Sequence, residues 1–163
     1  MSNNEPVLVQ VNEFLVAGPS VRTINDDEFN PSKAKLPKLW DDFFSMDMKN
    51  HIPYDIPLSP TYGVYSNYAS DASDFYTVTA GVNVSVQNGI TTDSALNTVT
   101  IQSGNYLVFR DKGAIPEIVI RTWGRIWAYF TDSNAPQRSF ATDFEMYLSA
   151  DEIAIYIGIN NLR

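Results

Sequence analysis

Glu145 is the residue whose surroundings in the sequence point most directly to chemistry. In the segment 143–148, apolar residues alternate with Asp143, Glu145 and Tyr147, a pattern typical of a strand with two different faces. If the apolar face meets the helices, Glu145 faces either water or a groove. On an outer face it is an ordinary solvated carboxylate. In an aromatic groove it is a buried anion, and burial raises the pKa of such a carboxyl until a cationic ligand or hydrogen bonds favour ionisation.

The aromatic content of the chain favours a groove of this kind. Nine tyrosines, nine phenylalanines and three tryptophans make up 13% of the 163 residues. Trp127 and Phe44 lie on helical apolar stripes, where we expect them to pack in the core. The tyrosines on expected strands are too numerous for every hydroxyl to find a partner in a dry core, which favours a wet, aromatic-lined cavity. These strand tyrosines are Tyr62, Tyr65, Tyr68, Tyr76, Tyr106, Tyr147 and Tyr156.

Other reactive groups are few. The chain has no cysteine, which excludes disulfides, zinc fingers and a thiol nucleophile. The chain has a single histidine, His51, which excludes a two-histidine metal motif. Because His51 lies among prolines, we expect it to be exposed to solvent and to have no functional role. Neither a phosphate-binding glycine loop nor a serine-hydrolase motif is present. We therefore expect no metal and no cofactor.

The charge balance bears on the partners of the protein. With 11 basic and 19 acidic residues, the net charge is −8, and no basic stripe is present. We therefore expect no direct binding to nucleic acid, whereas cations are attracted by the long-range field. No apolar run approaches the roughly 18–20 residues that span a bilayer. The first residues also lack the features of a signal peptide, so we expect a cytoplasmic protein that does not contact the membrane.

Hydrophobic periodicity predicts six extended segments and two helices that position these groups. The first helix covers 36–44 and the second covers 115–130, with Pro37 and Pro116 in their first turns. The acidic segment 25–30, which precedes the first helix, is expected to be a mobile loop. The expected strands are 7–16, 62–68, 76–84, 99–110, 143–148 and 153–159.

The order strand, helix, strand, strand occurs twice, which predicts a duplicated unit. Short echoes accompany it, since Gly81-Val82-Asn83 closes the first half as Gly158-Ile159-Asn160 closes the second. The sequence therefore predicts a single α+β domain over 1–163, made of two pseudo-symmetric β-α-β-β modules at about 7–90 and 97–160. Side by side, the modules form a curved antiparallel sheet with two main helices, and the seam between them is the natural place for a pocket.

A set of ordered segments carries a family resemblance over about residues 7–160. The segments are 36–43, 62–65, 76–82, 104–109, 115–127, 143–147 and 155–159. Together they resemble the GyrI-like effector-binding domains, the ligand-sensing part of many AraC- and MerR-type multidrug regulators, and most closely the free-standing integron-cassette version. The resemblance implies the two-module fold and an acidic residue, at the position of Glu145, that meets flat aromatic and often cationic compounds. It also implies that the pocket is lined by Trp40, Tyr65, Tyr106, Trp123 and Tyr147.

These observations lead to one main interpretation of function and two alternatives. The main one is a stand-alone protein that binds amphipathic cationic aromatic molecules around Glu145, in multidrug sensing or transcription regulation. Residues 7–160 leave no segment for a helix-turn-helix, so control of transcription would require a DNA-binding partner protein. One alternative is a hydrolase of strained cyclopropyl-type compounds, with Glu145 as general base and Tyr147 or Tyr65 as acid. The other is a protein-interaction module of the gyrase-inhibitor kind.

Overall fold

Nine strands and three helices make up the part of the chain that the computed structural model describes, residues 5–46, 60–71, 73–84 and 96–160. The strands are β1 (Val7–Val11), β2 (Phe14–Gly18), β3 (Ser20–Thr23), β4 (Thr61–Ser66), β5 (Tyr76–Asn83), β6 (Asn97–Ile101), β7 (Gly104–Lys112), β8 (Arg138–Ser149) and β9 (Glu152–Ile159). The helices are α1 (Asn25–Glu28), α2 (Leu36–Ser45) and α3 (Glu117–Tyr129). His51 lies outside the described residues.

The middle of the sheet has a pseudo-symmetry of the predicted kind, although the first strand of the first half is β3 and not the expected strand 7–16. The sequence pattern does not predict β3. On one side the strands follow in the order β3, β5, β4, and on the other in the order β7, β9, β8. The inner strands β4 and β8 pair antiparallel with each other and join the two halves. Each half thus contributes a strand, a helix and a hairpin in the same spatial order. The predicted α+β fold with a curved antiparallel sheet is confirmed.

Two of the expected strands are each divided into two pieces. The expected strand 7–16 becomes β1 and β2, and the expected strand 99–110 becomes β6 and β7. Both halves of this long ladder keep one register, with Val11 opposite Gly104 and Phe14 opposite Ile101. Strand β2 also pairs with β5, and strand β7 also pairs with β9. The ladder of β1 and β2 with β7 and β6 therefore lies between the two ends of the curved sheet.

The two long helices cover one face of the sheet, as their apolar stripes predict. Helix α2 has Pro37 in its first turn and buries Leu39 and Phe43 in a cluster with residues of β5. Helix α3 begins one residue after Pro116 and buries Ile118 and Ile126 against β7 and β9. Among the residues described, no helix has the length and apolar character needed to cross a membrane.

The apolar face of β8, which carries Phe144, is not the face that meets the helices. Phe144 points away from the helices and packs in a second aromatic core with Tyr62, Tyr106 and Tyr156. Glu145 therefore lies on the face that the helices cover, not on the face opposite them. The physical reason is that this strongly curved sheet buries both of its faces, so alternation of apolar and polar residues could not identify the helix side.

The acidic segment 25–30 is not the loop that was expected. Its first residues form the short helix α1, and its carboxylate Glu28 accepts hydrogen bonds from the backbone amides of Lys35, at 3.0 Å, and Leu36, at 3.2 Å. The hydroxyl of Thr23 also donates to Glu28. The start of α2 has no side-chain cap of its own, so Glu28 satisfies amides that would otherwise lack partners.

Candidate ligand-binding site

Glu145 lies at the seam between the two halves, on the helix-covered face of the sheet. It is on β8, directly opposite Gly63 of β4, and only 2% of the residue is exposed. Tyr65 and Tyr147 follow two positions after Gly63 and Glu145 on their own strands, so both side chains share the face of the carboxylate. The pairing of β4 with β8 thus places one acidic group between two tyrosines.

The carboxylate of Glu145 is held by three neutral donors. The Tyr147 hydroxyl donates to Oε1 at 2.9 Å, and the Tyr65 hydroxyl donates to Oε2 at 2.9 Å. The indole Nε1 of Trp123 also donates to Oε2, at 2.7 Å. The ion pairs found within the described residues do not include Glu145. This part of the chain therefore supplies hydrogen bonds to the carboxylate but no opposite charge.

Burial dominates the acidity of this cluster. Desolvation raises the pKa of Glu145 above its ordinary value of 4.5, and the three hydrogen bonds offset only part of that effect. Desolvation, together with the nearby Glu145 charge, also raises the pKa of Tyr65 and of Tyr147 well above the usual value. Both hydroxyls therefore stay protonated at neutral pH and remain donors. A cation close to Glu145 would favour its ionised form.

Gly63 leaves the space that the Glu145 carboxylate occupies, a role that the acidic and aromatic patterns of the sequence do not predict. A Cβ at this position would lie 2.7 Å from Glu145 Oε1 and 3.0 Å from Cζ2 of Trp40. Any larger residue would therefore displace the acidic group or the indole ring. A glycine inside a β-rich run is a known mark of close approach by another group, and that signal was available in the sequence.

Two groups of aromatic rings flank Glu145, one for each long helix. We call Trp40 and Phe44 of α2 with Tyr147 the α2 wall, and Trp123 and Trp127 of α3 with Tyr65 the α3 wall. In the α2 wall, the Trp40 ring lies 5.8 Å from Phe44 and 5.2 Å from Tyr147, measured between centroids. In the α3 wall, the Trp123 ring lies 6.1 Å from Trp127 and 5.1 Å from Tyr65.

A cavity of about 940 Å³ lies between these walls and is lined by both halves of the chain. Of the predicted site residues, Glu145, Trp40, Tyr65, Trp123 and Tyr147 all line it. Its rim also carries large apolar side chains with considerable exposure to solvent. These are Phe29, Phe44, Ile115, Ile120, Trp127 and Leu148. A concave, mostly apolar surface with a few buried polar groups is typical of a small-molecule site.

Phe44 and Trp127 are not the core residues that the sequence predicted. Phe44 is 70% exposed and Trp127 is 37% exposed, and both line the cavity. Each lies four positions after a tryptophan on the same helix, at the edge of the apolar stripe. Position on a stripe indicates the side of the helix but not whether the neighbouring space is filled, so the pattern predicts the core for two side chains that line the cavity.

Tyr106 does not lie at this cavity. The structure places it on the opposite face of the sheet, 2% exposed, in the core that contains Phe144. Its hydroxyl donates to the carbonyl of Gln102 at 2.5 Å and lies 2.8 Å from the Thr142 hydroxyl. The resemblance had implied a pocket position for Tyr106, and it is wrong on this residue because the strand β7 turns the side chain away from the helices.

The charged groups around the cavity are mainly acidic. Glu28, Asp41 and Glu145 line it, whereas Arg138 is the single basic side chain among the described lining residues. Arg138 is already paired with buried Asp143, at 2.6 Å between Nη2 and Oδ2. No group of three or more potential metal ligands occurs within the described residues. Carboxylates therefore outnumber basic groups among the described lining residues.

Comparisons with known proteins agree with this architecture. The family model of the integron-associated effector binding proteins matches residues 7–159. The crystal structure of the integron cassette protein VCH_CASS2 from Vibrio cholerae is similar, with a TM-score of 0.80 and 31% identity over 96% of each chain. YobU of Bacillus subtilis (strain 168), a protein proposed as a transcriptional regulator, is 30% identical over 132 residues, which are 80% of this chain and 79% of YobU.

A more distant structure shares the fold alone. SAV2435, whose structure was solved bound to tetraphenylphosphonium, has a TM-score of 0.65 at 16% identity, covering 96% of this chain and 94% of its own. The match of the family model covers nearly all of the described fold, including both walls and the seam strands. This chain belongs to the family of integron-associated effector binding proteins.

Proposed function

We propose that this protein binds amphipathic, cationic aromatic small molecules in the seam cavity, with Glu145 as their counter-charge. The observation that carries the proposal is a buried carboxylate with three neutral hydrogen-bond donors, no ion-pair partner in the described chain, and aromatic rings on two sides. An ionised carboxylate is costly to bury unless it is paired. A ligand that brings a positive charge removes this cost.

The aromatic walls suit the same ligand. A cation near the face of an aromatic ring gains roughly 0.5–2 kcal/mol for each good contact, and tryptophan is the most favourable ring. Flat apolar groups attached to that cation gain further free energy by leaving water. The net charge of −8 raises the rate at which cations encounter the protein. Selectivity would then rest on charge and aromatic character more than on detailed hydrogen bonding.

Binding fits the geometry of Glu145 better than hydrolysis does. A hydrolase of the kind considered would use Tyr65 or Tyr147 as the acid that protonates the substrate. Both hydroxyls already donate their hydrogen to Glu145 itself, so neither is directed at a substrate in the cavity. By contrast, attraction between Glu145 and a ligand cation acts through charge and leaves these hydrogen bonds in place.

We further propose a role in the regulation of transcription together with a DNA-binding partner protein, which places the protein in the cytoplasm. The relative YobU, at 30% identity, supports a link to regulation. The acidic charge of the chain does not suit direct contact with a phosphate backbone, so the partner would make that contact. This protein would supply the sensing of the ligand.

Calorimetric titration with tetraphenylphosphonium tests the ligand proposal, because SAV2435 is known with that cation. The variant Glu145→Gln should bind it about ten- to a hundredfold more weakly, as expected for the loss of an interaction with a charged group. Glutamine fits the site, since its amide oxygen can keep Tyr65 and Trp123 while its amide nitrogen donates to the Tyr147 hydroxyl. Glu13→Gln, at an exposed position that does not line the cavity, is the matched control. Equal affinities of all three proteins would contradict the proposal.

A further inference from the structure

The two aromatic walls are equivalent under the pseudo-two-fold relation of the sheet. Tyr147 of one wall and Tyr65 of the other lie two residues beyond the paired positions Glu145 and Gly63, on opposite sides of the seam. Their hydroxyls donate to different oxygens of the same carboxylate, both at 2.9 Å. The axis that relates the two halves therefore passes close to the carboxylate.

The helices repeat this relation. Each wall has a tryptophan next to its seam tyrosine, with centroid distances of 5.2 Å for Trp40 to Tyr147 and 5.1 Å for Trp123 to Tyr65. Each tryptophan is followed four residues later by a second aromatic side chain at the rim, Phe44 on α2 and Trp127 on α3. Two similar sets of three rings thus stand on either side of one negative charge.

We infer that the preferred ligands carry a central positive charge with two aromatic arms, bound across the seam with one arm against each wall. This inference rests on the proposed function, because it takes Glu145 as the counter-charge. A ligand with one aromatic arm would fill one wall and leave the other in contact with water. The equivalence is limited to the rings. Of the two tryptophans next to the seam tyrosines, Trp123 donates to Glu145 and Trp40 does not, and Phe29 adds a further ring to the α3 wall, 5.9 Å from Trp127.

Two quaternary ammonium ions separate this arrangement from simple hydrophobicity. Dibenzyldimethylammonium has two aromatic arms. Benzylheptyldimethylammonium has the same charge and the same number of carbon atoms but only one aromatic arm. Since an aromatic pair gains free energy beyond the area it buries, the two-armed cation should bind about three- to tenfold more tightly in calorimetry. Equal affinities, or tighter binding of the heptyl compound, would overturn the inference.

Variants at the rim test whether both walls are used. Phe44→Leu and Trp127→Leu should each weaken the two-armed cation by about three- to tenfold. Each should weaken the one-armed cation by at most about twofold, because its ring can use the intact wall. Phe75→Leu is the matched control, since Phe75 is 44% exposed and does not line the cavity. Sensitivity to only one of the two rim variants would overturn the inference.

The same titrations separate failure of this inference from failure of the proposed function. If Glu145→Gln leaves the affinity for dibenzyldimethylammonium unchanged, the carboxylate is not the counter-charge and both proposals are wrong. If Glu145→Gln weakens binding but the two cations bind equally well, the proposed function stands and the two-armed ligand class is wrong.

Discussion

Replacing Gly63 with alanine tests whether the seam glycine fixes the position of the Glu145 carboxylate. A Cβ at residue 63 would lie 2.7 Å from Oε1, whereas ordinary van der Waals contact begins near 3.4 Å. The carboxylate must therefore shift by about 0.7 Å, the difference between these two distances. No positive φ is found at Gly63, so the backbone itself tolerates alanine and the effect is confined to the side chains nearby.

A shift of this size acts on the hydrogen bonds of Glu145. They are 2.7–2.9 Å long, so at least one of the three leaves its normal range. Loss of one hydrogen bond to a charged group costs about 1.5–3 kcal/mol. We expect this cost in the free energy of unfolding. We also expect the affinity for tetraphenylphosphonium to fall about tenfold, because the charge is no longer centred between the walls.

Chemical denaturation and calorimetric titration measure the two effects. Gly124→Ala is the matched control, because Gly124 lies inside α3 and its added Cβ would have nothing within 4 Å apart from its chain neighbours and the backbone of α3 itself. That substitution should stabilise the protein by about 0.5–1 kcal/mol and leave ligand affinity unchanged. If Gly63→Ala binds the cation with the affinity of the unchanged protein, the seam glycine does not position Glu145 and the reasoning is refuted.

Three further outcomes follow from the same site. Because burial raises the pKa of Glu145 above 4.5, affinity for the permanent cation tetraphenylphosphonium should fall as the pH is lowered through that raised pKa, whereas the affinity of Glu145→Gln should stay constant in the same titrations. The Glu145 carboxyl has a higher pKa in the folded chain than in the unfolded chain, so its ionisation at neutral pH lowers the free energy of unfolding. Glu145→Gln removes this effect and should be the more stable protein at neutral pH. Its advantage in denaturation experiments should shrink as the pH falls towards 4.5, and an advantage that grows on acidification would contradict the sign. Tyr106→Phe should lower the free energy of unfolding by about 1 kcal/mol through its lost hydroxyl, with no change in cation affinity, since Tyr106 lies on the opposite face of the sheet.

Local patterns predict most of the fold. The prolines near the starts of α2 and α3, the apolar stripes of both helices and the β-rich hairpins are features that neighbouring residues decide among themselves. The duplication follows from their repeated order. Local patterns do not predict the division of two long strands into β1, β2, β6 and β7. It depends on tertiary pairing, since β1 pairs with β7 whereas β2 pairs with both β5 and β6.

The site was predicted less completely, and the reason is tertiary. Alternation along β8 places Glu145 and Tyr147 on one face, but both faces of this sheet are buried, so the pattern could not say which one meets the helices. The role of Gly63 depends on the pairing of β4 with β8. These two strands are far apart in the sequence, and the hydrogen bond from Tyr65 to Glu145 joins residues that are 80 positions apart. Glu28 likewise caps a helix that begins eight residues later, which the acidic composition of its segment does not reveal.

The ratio of affinities for tetraphenylphosphonium and tetraphenylborate shows whether the charge of Glu145 selects the ligand. The two ions have nearly the same shape and the same aromatic surface but opposite charge. The unchanged protein should prefer the phosphonium by at least about tenfold, and Glu145→Gln should lose most of that preference, since an interaction with a charged group is worth about 1.5–3 kcal/mol. If both ions bind the unchanged protein equally well, or if Glu145→Gln keeps the full preference, charge at Glu145 does not select the ligand.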